Sequence, residues 1–133
     1  MNKLVLTWGE FDAAVDLIAR GVAAADFDSV YGVPRGGLPL AVALSHTTGR
    51  PLAVLPGQRT LVVDDVVQTG RQLSALGRIS PSPCIRTWVW IAKGYHPNIF
   101  AVRQVPRDFW VVFPWEQVGR AEEDAAEYYK KGG

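Results

Sequence analysis

The run Thr60-Leu61-Val62-Val63 constrains the fold of this 133-residue chain more than any other stretch. It is rich in β-branched residues and apolar on both faces, which is typical of a central strand in a parallel sheet. Such a strand needs helices on both sides, because both of its faces must be covered. The sequence therefore favours an α/β fold with a mainly parallel central sheet flanked by helices.

Helices and strands alternate on either side of this run. Thr7 and Glu10 have the spacing of a capping box, and apolar residues follow at helical period, which predicts a first helix ending before Asp26. The Ala-rich stretch Leu38–Thr48 closes on Gly49 and predicts a second helix. Further strands are predicted at Ser29–Val33, Leu52–Leu55, Thr87–Ala92, Ile99–Val105 and Trp110–Phe113, a third helix at about 71–76 and a surface helix at 120–131.

Composition limits the kinds of function that fit this fold. With 14 Lys and Arg against 13 Asp and Glu, the formal net charge is +1, which gives no general electrostatic basis for binding nucleic acid or an anionic membrane. No apolar run approaches the roughly 20 residues of a membrane-spanning helix. The single Cys84 excludes an intramolecular disulfide and fits a reducing compartment. We therefore expect a cytoplasmic protein with a small-molecule ligand.

The loop from Val33 to Leu38 lies between a predicted strand and a predicted helix. Its paired glycines, Gly36 and Gly37, let backbone N–H groups approach an anion closely, and Arg35 adds a fixed charge near a helix N-terminus. It is not a P-loop, because no Gly-Lys-Ser/Thr follows. By itself the pattern fits an anion site and also a plain strand-to-helix joint.

Two adjacent acids, Asp64 and Asp65, follow the strand Thr60–Val63, and Thr69-Gly70 comes shortly after them. Two carboxylates buried together repel each other and need a partner, such as a metal ion or the hydroxyls of a sugar. Backbone N–H groups around Thr69 and the start of the next helix suit a phosphate. A solvent-facing Asp-Asp helix cap is the alternative. The spacing of acids and cradle favours a ribose 5-phosphate site.

At Thr60–Leu73 the chain resembles the phosphoribosyl pyrophosphate (PRPP) signature of the type I phosphoribosyltransferases: a hydrophobic strand, two acids, two spacers, an acid and Thr-Gly. The segment Pro34–Leu38 resembles that family's pyrophosphate loop. Other stretches resemble the family's bacterial xanthine-guanine (6-oxopurine) branch; these are Leu4–Trp8, Ile91–Lys93, Asp108–Val111 and Pro114–Glu116. The resemblance implies a single phosphoribosyltransferase-like domain over residues 1–133 with a small C-terminal purine-pocket segment, or hood.

For the phosphoribosyl part of the substrate, the resemblance implies three groups of residues. Pyrophosphate would be bound by Arg35, Gly36 and Gly37. The ribose hydroxyls would be held by Asp64 and Asp65, which with Gln68 form the catalytic segment. The 5′-phosphate would lie in a cradle made by Gln68, Thr69, Gly70, Arg71 and Gln72.

For the base and the cofactor, the resemblance implies a second set of residues. Lys93 would bond a purine carbonyl, Trp110 would stack on the base and the backbone of Val111 would read its edge. Taken alone, Trp110 also fits a core aromatic in a strand. Mg²⁺ would be the cofactor, held by Asp64 and Asp65, with Glu116 supporting a second ion.

The chain departs from the family pattern at three places. Gln68 stands where the family has an acid that is presumed to take a proton from the purine, and an amide cannot act as a base near neutral pH. Gln72 replaces a hydroxyl residue of the phosphate cradle. Between Gly49 and the strand into Asp64 there is no room for the flexible loop that closes over the substrate, a loss that should weaken catalysis more than binding.

Two functions therefore remain open. One is a Mg²⁺-dependent enzyme of purine salvage that transfers phosphoribose from PRPP to a purine-type base. The other is a catalytically impaired protein that senses or sequesters a purine nucleotide or a nucleotide-derived signal. A structural module without a ligand fits the charged, Gly-rich loops poorly. Five Trp residues on so short a chain also favour a homodimer or homotetramer, because interfaces are rich in aromatic side chains.

Overall fold

The computed structural model describes residues 2–69 and 86–131, which form an α/β fold. Strands and helices alternate along the first half, and four strands with one helix follow. The elements are β1 (Asn2–Val5), α1 (Trp8–Val22), β2 (Ser29–Gly32), α2 (Leu38–Thr48), β3 (Thr60–Val67), β4 (Arg86–Lys93), β5 (Phe100–Val105), β6 (Phe109–Val112), a 3-10 turn (Val118–Arg120) and α3 (Ala121–Lys130).

The described strands form two sheets in which every pairing is parallel. The larger sheet has the order β2-β3-β4-β5, and β1 pairs with β6 in a separate two-stranded sheet. Strand β3 lies between β2 and β4, and Leu61, Val62 and Val63 are almost fully buried in it. The predicted central parallel strand is therefore confirmed.

Helix α1 begins with the capping box that the sequence predicts. The backbone N–H of Glu10 donates to Thr7 Oγ1, and the Thr7 N–H donates to Glu10 Oε1, both over 3.1 Å. Its apolar face covers the sheet through five buried residues: Phe11, Ala14, Val15, Ile18 and Val22. Helix α2 has the predicted bounds and ends at Gly49, whose positive φ of 72° allows its N–H to reach the Ser45 carbonyl.

Two predictions about strands were wrong. Leu52–Leu55 forms no strand; only Leu52 makes an isolated bridge to Val30, and Val54 is 91% exposed, because no neighbouring strand pairs with the residues beyond Leu52 in the described structure. The strand Thr60–Val63 continues to Val67, so Asp64 and Asp65 lie within β3 and not in a loop after it. Pairing with β4 extends it, since Val66 and Val67 are in register with Ile91 and Ala92.

The remaining predictions concern the tryptophans, the third helix and membrane-spanning segments. Trp90 is buried in the core, and Trp88 and Trp115 pack against it, so these three side chains are explained within one chain. The helix predicted at 71–76 lies outside the described residues. Among residues 2–69 and 86–131, no helix has the length and apolarity that crossing a bilayer requires.

Candidate active site

The carboxyl ends of β2, β3 and β4 meet at one edge of the larger sheet, where ligands bind in folds of this type. The loop after β2 carries Arg35, Gly36 and Gly37, β3 carries the two acids, and β4 ends at Lys93. The fold therefore brings together residues that are separated by up to about 60 positions in the sequence.

We name the two ends of this edge after the parts of the substrate that the resemblance implies for them, the ribose end and the base end. At the ribose end, Asp64 and Asp65 are neighbours on β3. Asp64 is only 4% exposed and Asp65 is partly buried. The carboxylate of Asp64 accepts from the Asp65 N–H and that of Asp65 from the Val66 N–H, each over 2.8 Å. Their orientation is therefore fixed by the backbone, and the alternative of a solvent-facing helix cap is wrong.

Gly36 packs directly against Asp65. A methyl group at Gly36 would overlap the Asp65 carboxylate, and one at Gly37 would lie 2.6 Å from the Val63 carbonyl oxygen. The loop is held there because the Val33 N–H donates to that same Val63 carbonyl over 2.9 Å. Only glycine allows this approach, which brings the predicted pyrophosphate loop against the acids. The peptide bond between Pro34 and Arg35 is cis, and Arg35 is exposed.

Burial sets the charge state of this pair in the absence of ligand. Removal from water raises the pKa of Asp64 well above its ordinary value, and the neighbouring Asp65 carboxylate raises it further. Burial also raises the pKa of Asp65. A cation or a set of hydroxyl groups would relieve this repulsion, so the pair has the properties of a ligand site.

At the base end, Lys93 is a buried ammonium, 2% exposed. Its Nζ donates to Gln68 Oε1 over 3.4 Å and lies 4.8 Å from the centroid of the Trp110 ring, a cation–π distance. Burial lowers the pKa of Lys93. A buried cation with one long hydrogen bond is suited to a ligand oxygen, because unpaired charge in the interior is costly.

A cavity of about 100 Å³ joins the two ends of the site. Complete small-molecule pockets measure roughly 300–1,000 Å³, so this cavity has the size of one subsite. It is lined by Asp65, Val66, Gln68, Lys93, Trp110, Val111, Phe113, Glu116 and Tyr128. One acid of the PRPP-like signature therefore faces the same space as the residues predicted to hold a base.

The aromatic wall of this cavity comes from two elements. Trp110 lies on β6, and Tyr128 and Tyr129 of α3 contact it with ring centroids 5.7 and 6.1 Å away. Of the two tyrosines, Tyr128 lines the cavity. Sequence reasoning missed Tyr128, because it assigned the last helix to the surface. The buried Ala121 and Ala125, seven and three residues before Tyr128, are the helical-period signal that marks this packed face.

Glu116 lies beside the cavity in the turn after β6. Its Oε1 accepts from the Phe113 N–H over 2.9 Å, and partial burial raises its pKa. Within residues 2–69 and 86–131, no three His, Cys, Asp or Glu side chains are grouped closely enough to hold a metal ion. Glu116 nevertheless lines the same cavity as Asp65, and the neighbouring Asp65 carboxylate adds to the rise in the pKa of Glu116.

The phosphate cradle is described only at its start. Gln68 is partly exposed and Thr69 exposed at the end of β3, whereas Gly70, Arg71 and Gln72 lie outside the described residues. Arg107 donates to the main-chain oxygen of Gln68 over 3.3 Å from the turn between β5 and β6. Sequence reasoning also missed this contact, which joins positions 39 residues apart.

The connection from α2 to β3 is short. It runs from Gly49 to Arg59 and contains the Leu52 bridge and a turn at Gln58-Arg59. The expectation that this stretch has no room for a closing loop is consistent with these bounds.

Known proteins place the chain by sequence and by fold. An orotate phosphoribosyltransferase of Archaeoglobus fulgidus is 32% identical over 95 residues, which are 54% of this chain and 53% of that protein. The chain thus spans about half the length of this curated relative. No family model matches this chain.

Two solved structures superpose on almost the whole chain. A purine phosphoribosyltransferase from Pyrococcus horikoshii is 30% identical, with a TM-score of 0.73 over 88% of this chain and 96% of that one. A protein of Neisseria gonorrhoeae with bound ppGpp is 18% identical, with a TM-score of 0.72 over 96% of this chain and 97% of that one, and shares the fold.

The parallel sheet and the loops at its carboxyl edge define an α/β protein whose ligand site lies at the strand ends. Identity across nearly the full length of the Pyrococcus protein then makes the assignment specific. The chain belongs to the type I phosphoribosyltransferase family.

Proposed function

We propose that this chain is a purine phosphoribosyltransferase, which transfers phosphoribose from PRPP to a purine-type base and releases pyrophosphate. One observation carries the proposal: the cavity lined by Lys93 and Trp110 is also lined by Asp65 of the PRPP-like signature. A base in that cavity would lie next to a ribose held by the Asp pair. This placement supports the bacterial 6-oxopurine branch as the nearest in function, since Lys93 offers a donor to a purine carbonyl.

In the reaction, a nitrogen of the base forms a bond to the ribose C1′ while the bond from C1′ to pyrophosphate breaks. The base also loses a proton, which passes to the departing pyrophosphate or to water. Positive charge develops on the ribose as the leaving group departs, and the carboxylates of Asp64 and Asp65 would stabilise it. Arg35, Gly36 and Gly37 would take the pyrophosphate, and the segment Gln68–Gln72 the 5′-phosphate.

On the base, the proposed contacts divide among three residues. Lys93 would donate to an exocyclic oxygen, and Trp110 would stack on the ring, an interaction worth roughly 1–3 kcal/mol for nucleic-acid bases. The buried backbone of Val111, one residue further along β6, would bond the edge of the base. Because Lys93 now lies over the Trp110 ring, a stacked base would displace the ammonium toward its own oxygen.

We further propose Mg²⁺ as the cofactor. Magnesium is commonly bound by one or two carboxylates together with substrate phosphates, and the adjacent Asp64 and Asp65 fit that pattern. Glu116, which lines the same cavity as Asp65, would support a second ion. When bound, Mg²⁺ would neutralise charge on the pyrophosphate.

The test is an assay of the purified chain with PRPP, Mg²⁺ and a panel of adenine, guanine, hypoxanthine, xanthine and orotate, with nucleotide formation followed by chromatography. We expect product with a purine and none with orotate. Asp65→Asn should abolish turnover, and Asp12→Asn, which removes an exposed acid on α1, should leave it unchanged.

Calorimetry with PRPP, GMP and ppGpp on the same samples distinguishes the second function. Nucleotide binding without any product would reject the enzyme in favour of a sensing or sequestering protein. The loss of turnover would then be explained by Gln68 and by the short α2–β3 connection. Product with orotate alone would reject the purine substrate. Absence of binding by PRPP and by both nucleotides would reject both functions.

We also propose that the chain works as a homodimer or homotetramer in the cytoplasm. The support is the set of large apolar side chains left exposed on one chain, among them Leu38, Val42, Val54 and Leu55. Burial of such side chains at an interface is favourable, and sedimentation equilibrium would give the mass of the assembly.

A further inference from the structure

Two cationic side chains converge on Gln68. Lys93 donates to its side-chain oxygen over 3.4 Å, and Arg107 donates to its main-chain oxygen over 3.3 Å. Lys93 comes from the end of β4, and Arg107 comes from the turn between β5 and β6. Gln68 is thus held by hydrogen bonds from two other segments of the chain.

These contacts determine which group of the amide is available to a ligand. An ammonium group only donates hydrogen bonds, so the oxygen of the Gln68 amide faces Lys93 and its NH₂ group is turned away from Lys93. Gln68 and Lys93 both line the cavity. The cavity therefore presents two neighbouring donors, whereas a carboxylate at position 68 would present acceptors only.

Two neighbouring donors match one kind of base edge. A 6-oxopurine has adjacent acceptors, O6 and N7, while adenine has the N7 acceptor beside an N6 amino donor. N7 accepts only when it carries no proton. That is its state in a nucleotide, where the sugar occupies N9; in a free base that attacks through N9, the ring proton resides on N7.

We propose that Gln68 is a specificity-determining residue which donates to an unprotonated N7, so that the site prefers a 6-oxopurine nucleotide to the free base that would form it. This inference rests on the proposed function, because it places a purine in the Lys93–Trp110 cavity. In this proposal, Gln68 helps to retain the nucleotide product, whereas an acid at this position would receive a proton from the base.

The experiment compares GMP with 7-deaza-GMP, in which a C–H group replaces N7. Titration calorimetry on the full chain should show 7-deaza-GMP binding roughly 3- to 10-fold more weakly, as expected for the loss of one hydrogen bond. In Gln68→Glu and Gln68→Met, which both lack the amide donor, the two nucleotides should bind with nearly equal affinity. Gln58→Glu makes the same charge change at an exposed turn and should keep the difference.

Circular dichroism would verify that each variant is folded, and Gln68→Met serves if Gln68→Glu does not fold. Equal affinities for GMP and 7-deaza-GMP in the wild type would overturn the inference, as would a difference that survives in Gln68→Met. PRPP binding without GMP binding would also overturn it and leave the proposed function standing. If neither PRPP nor GMP binds, the proposed function itself fails.

Discussion

The two ends of the site are built in different ways. At the ribose end, the backbone sets the positions of the acids. Gly36 lies against Asp65 because it has no side chain, and main-chain N–H groups orient both carboxylates. At the base end, side chains form the walls of the cavity. They come from four separate parts of the chain and are Lys93, Gln68, Trp110 and Tyr128. The ribose end is consequently built from two short stretches of sequence, whereas the base end brings together side chains that lie far apart in the chain.

This difference predicts how each end tolerates substitution. A backbone-built end has almost no freedom to adjust, because its atoms are tied to the sheet. A side-chain-built end can lose one wall and keep the others. Substitutions at the ribose end should therefore cost more than those at the base end.

The largest effect is expected for Gly36→Ala. The added methyl group overlaps the Asp65 carboxylate, so the loop or β3 must shift, at a cost of about 2–3 kcal/mol in the free energy of unfolding. PRPP binding should be lost as well, because both the pyrophosphate loop and the acids move. Chemical denaturation and calorimetry would measure the two effects.

Gly9→Ala is the matched control for that substitution. A methyl group there would have Thr7 Oγ1 as its nearest neighbour at 3.8 Å, and alanine favours a helix over glycine by up to about 1 kcal/mol. The control should be at least as stable as the wild type. If Gly36→Ala were as stable as the control and still bound PRPP, the backbone at the ribose end would be able to adjust to an added methyl group, contrary to this prediction.

A smaller effect, dependent on pH, is expected for Asp64→Asn. Burial raises the folded-state pKa of Asp64, so its folded form retains a proton that the unfolded chain releases near pH 4. In the ligand-free wild type, the contribution of Asp64 to the free energy of unfolding should be fully present below about pH 4 and should fall as pH rises toward the raised pKa. The asparagine variant should flatten this slope and be about 1–2 kcal/mol more stable near pH 8.

Denaturant unfolding at several pH values between 4 and 8 would test this prediction. Asp12→Asn, at an exposed position on α1, should follow the wild-type curve. Parallel curves for Asp64→Asn and the wild type would contradict the assignment of the pH dependence to Asp64.

The smallest effect is expected at the base end, for Tyr128→Leu. The variant loses one aromatic wall of the cavity and its ring contact with Trp110, a kind of contact worth about 0.5–1.5 kcal/mol. GMP should therefore bind roughly 2- to 10-fold more weakly, and PRPP binding should not change. Tyr129→Leu removes a neighbouring ring that contacts Trp110 without lining the cavity, so its GMP affinity should stay near that of the wild type. Equal losses in both variants would mean that Tyr128 acts only through packing.

What could be predicted from the sequence depends on how far apart the interacting residues lie in the chain. The bounds of α2 and the capping box of α1 depend on short-range patterns, and the structure confirms both. The packing of Gly36 against Asp65 joins positions far apart in the sequence, and the fold is needed to see it. The contacts of Tyr128 with Trp110 and of Arg107 with Gln68 depend on which elements pack together, and no local pattern records that. The strand expected at Leu52–Leu55 failed for a related reason, since local propensity says nothing about whether a pairing partner exists.

The pairing of β1 with β6 bears on how the protein is made. Lys3 is in register with Trp110, and Leu4 with Val111, so β1 leaves the ribosome more than a hundred residues before its partner strand is synthesised. Contacts between such distant positions form slowly, because a long loop must close first. A nascent chain can assemble α1, β2 and the glycine loop early, but the wall that carries Trp110 is completed only after β6 has been synthesised.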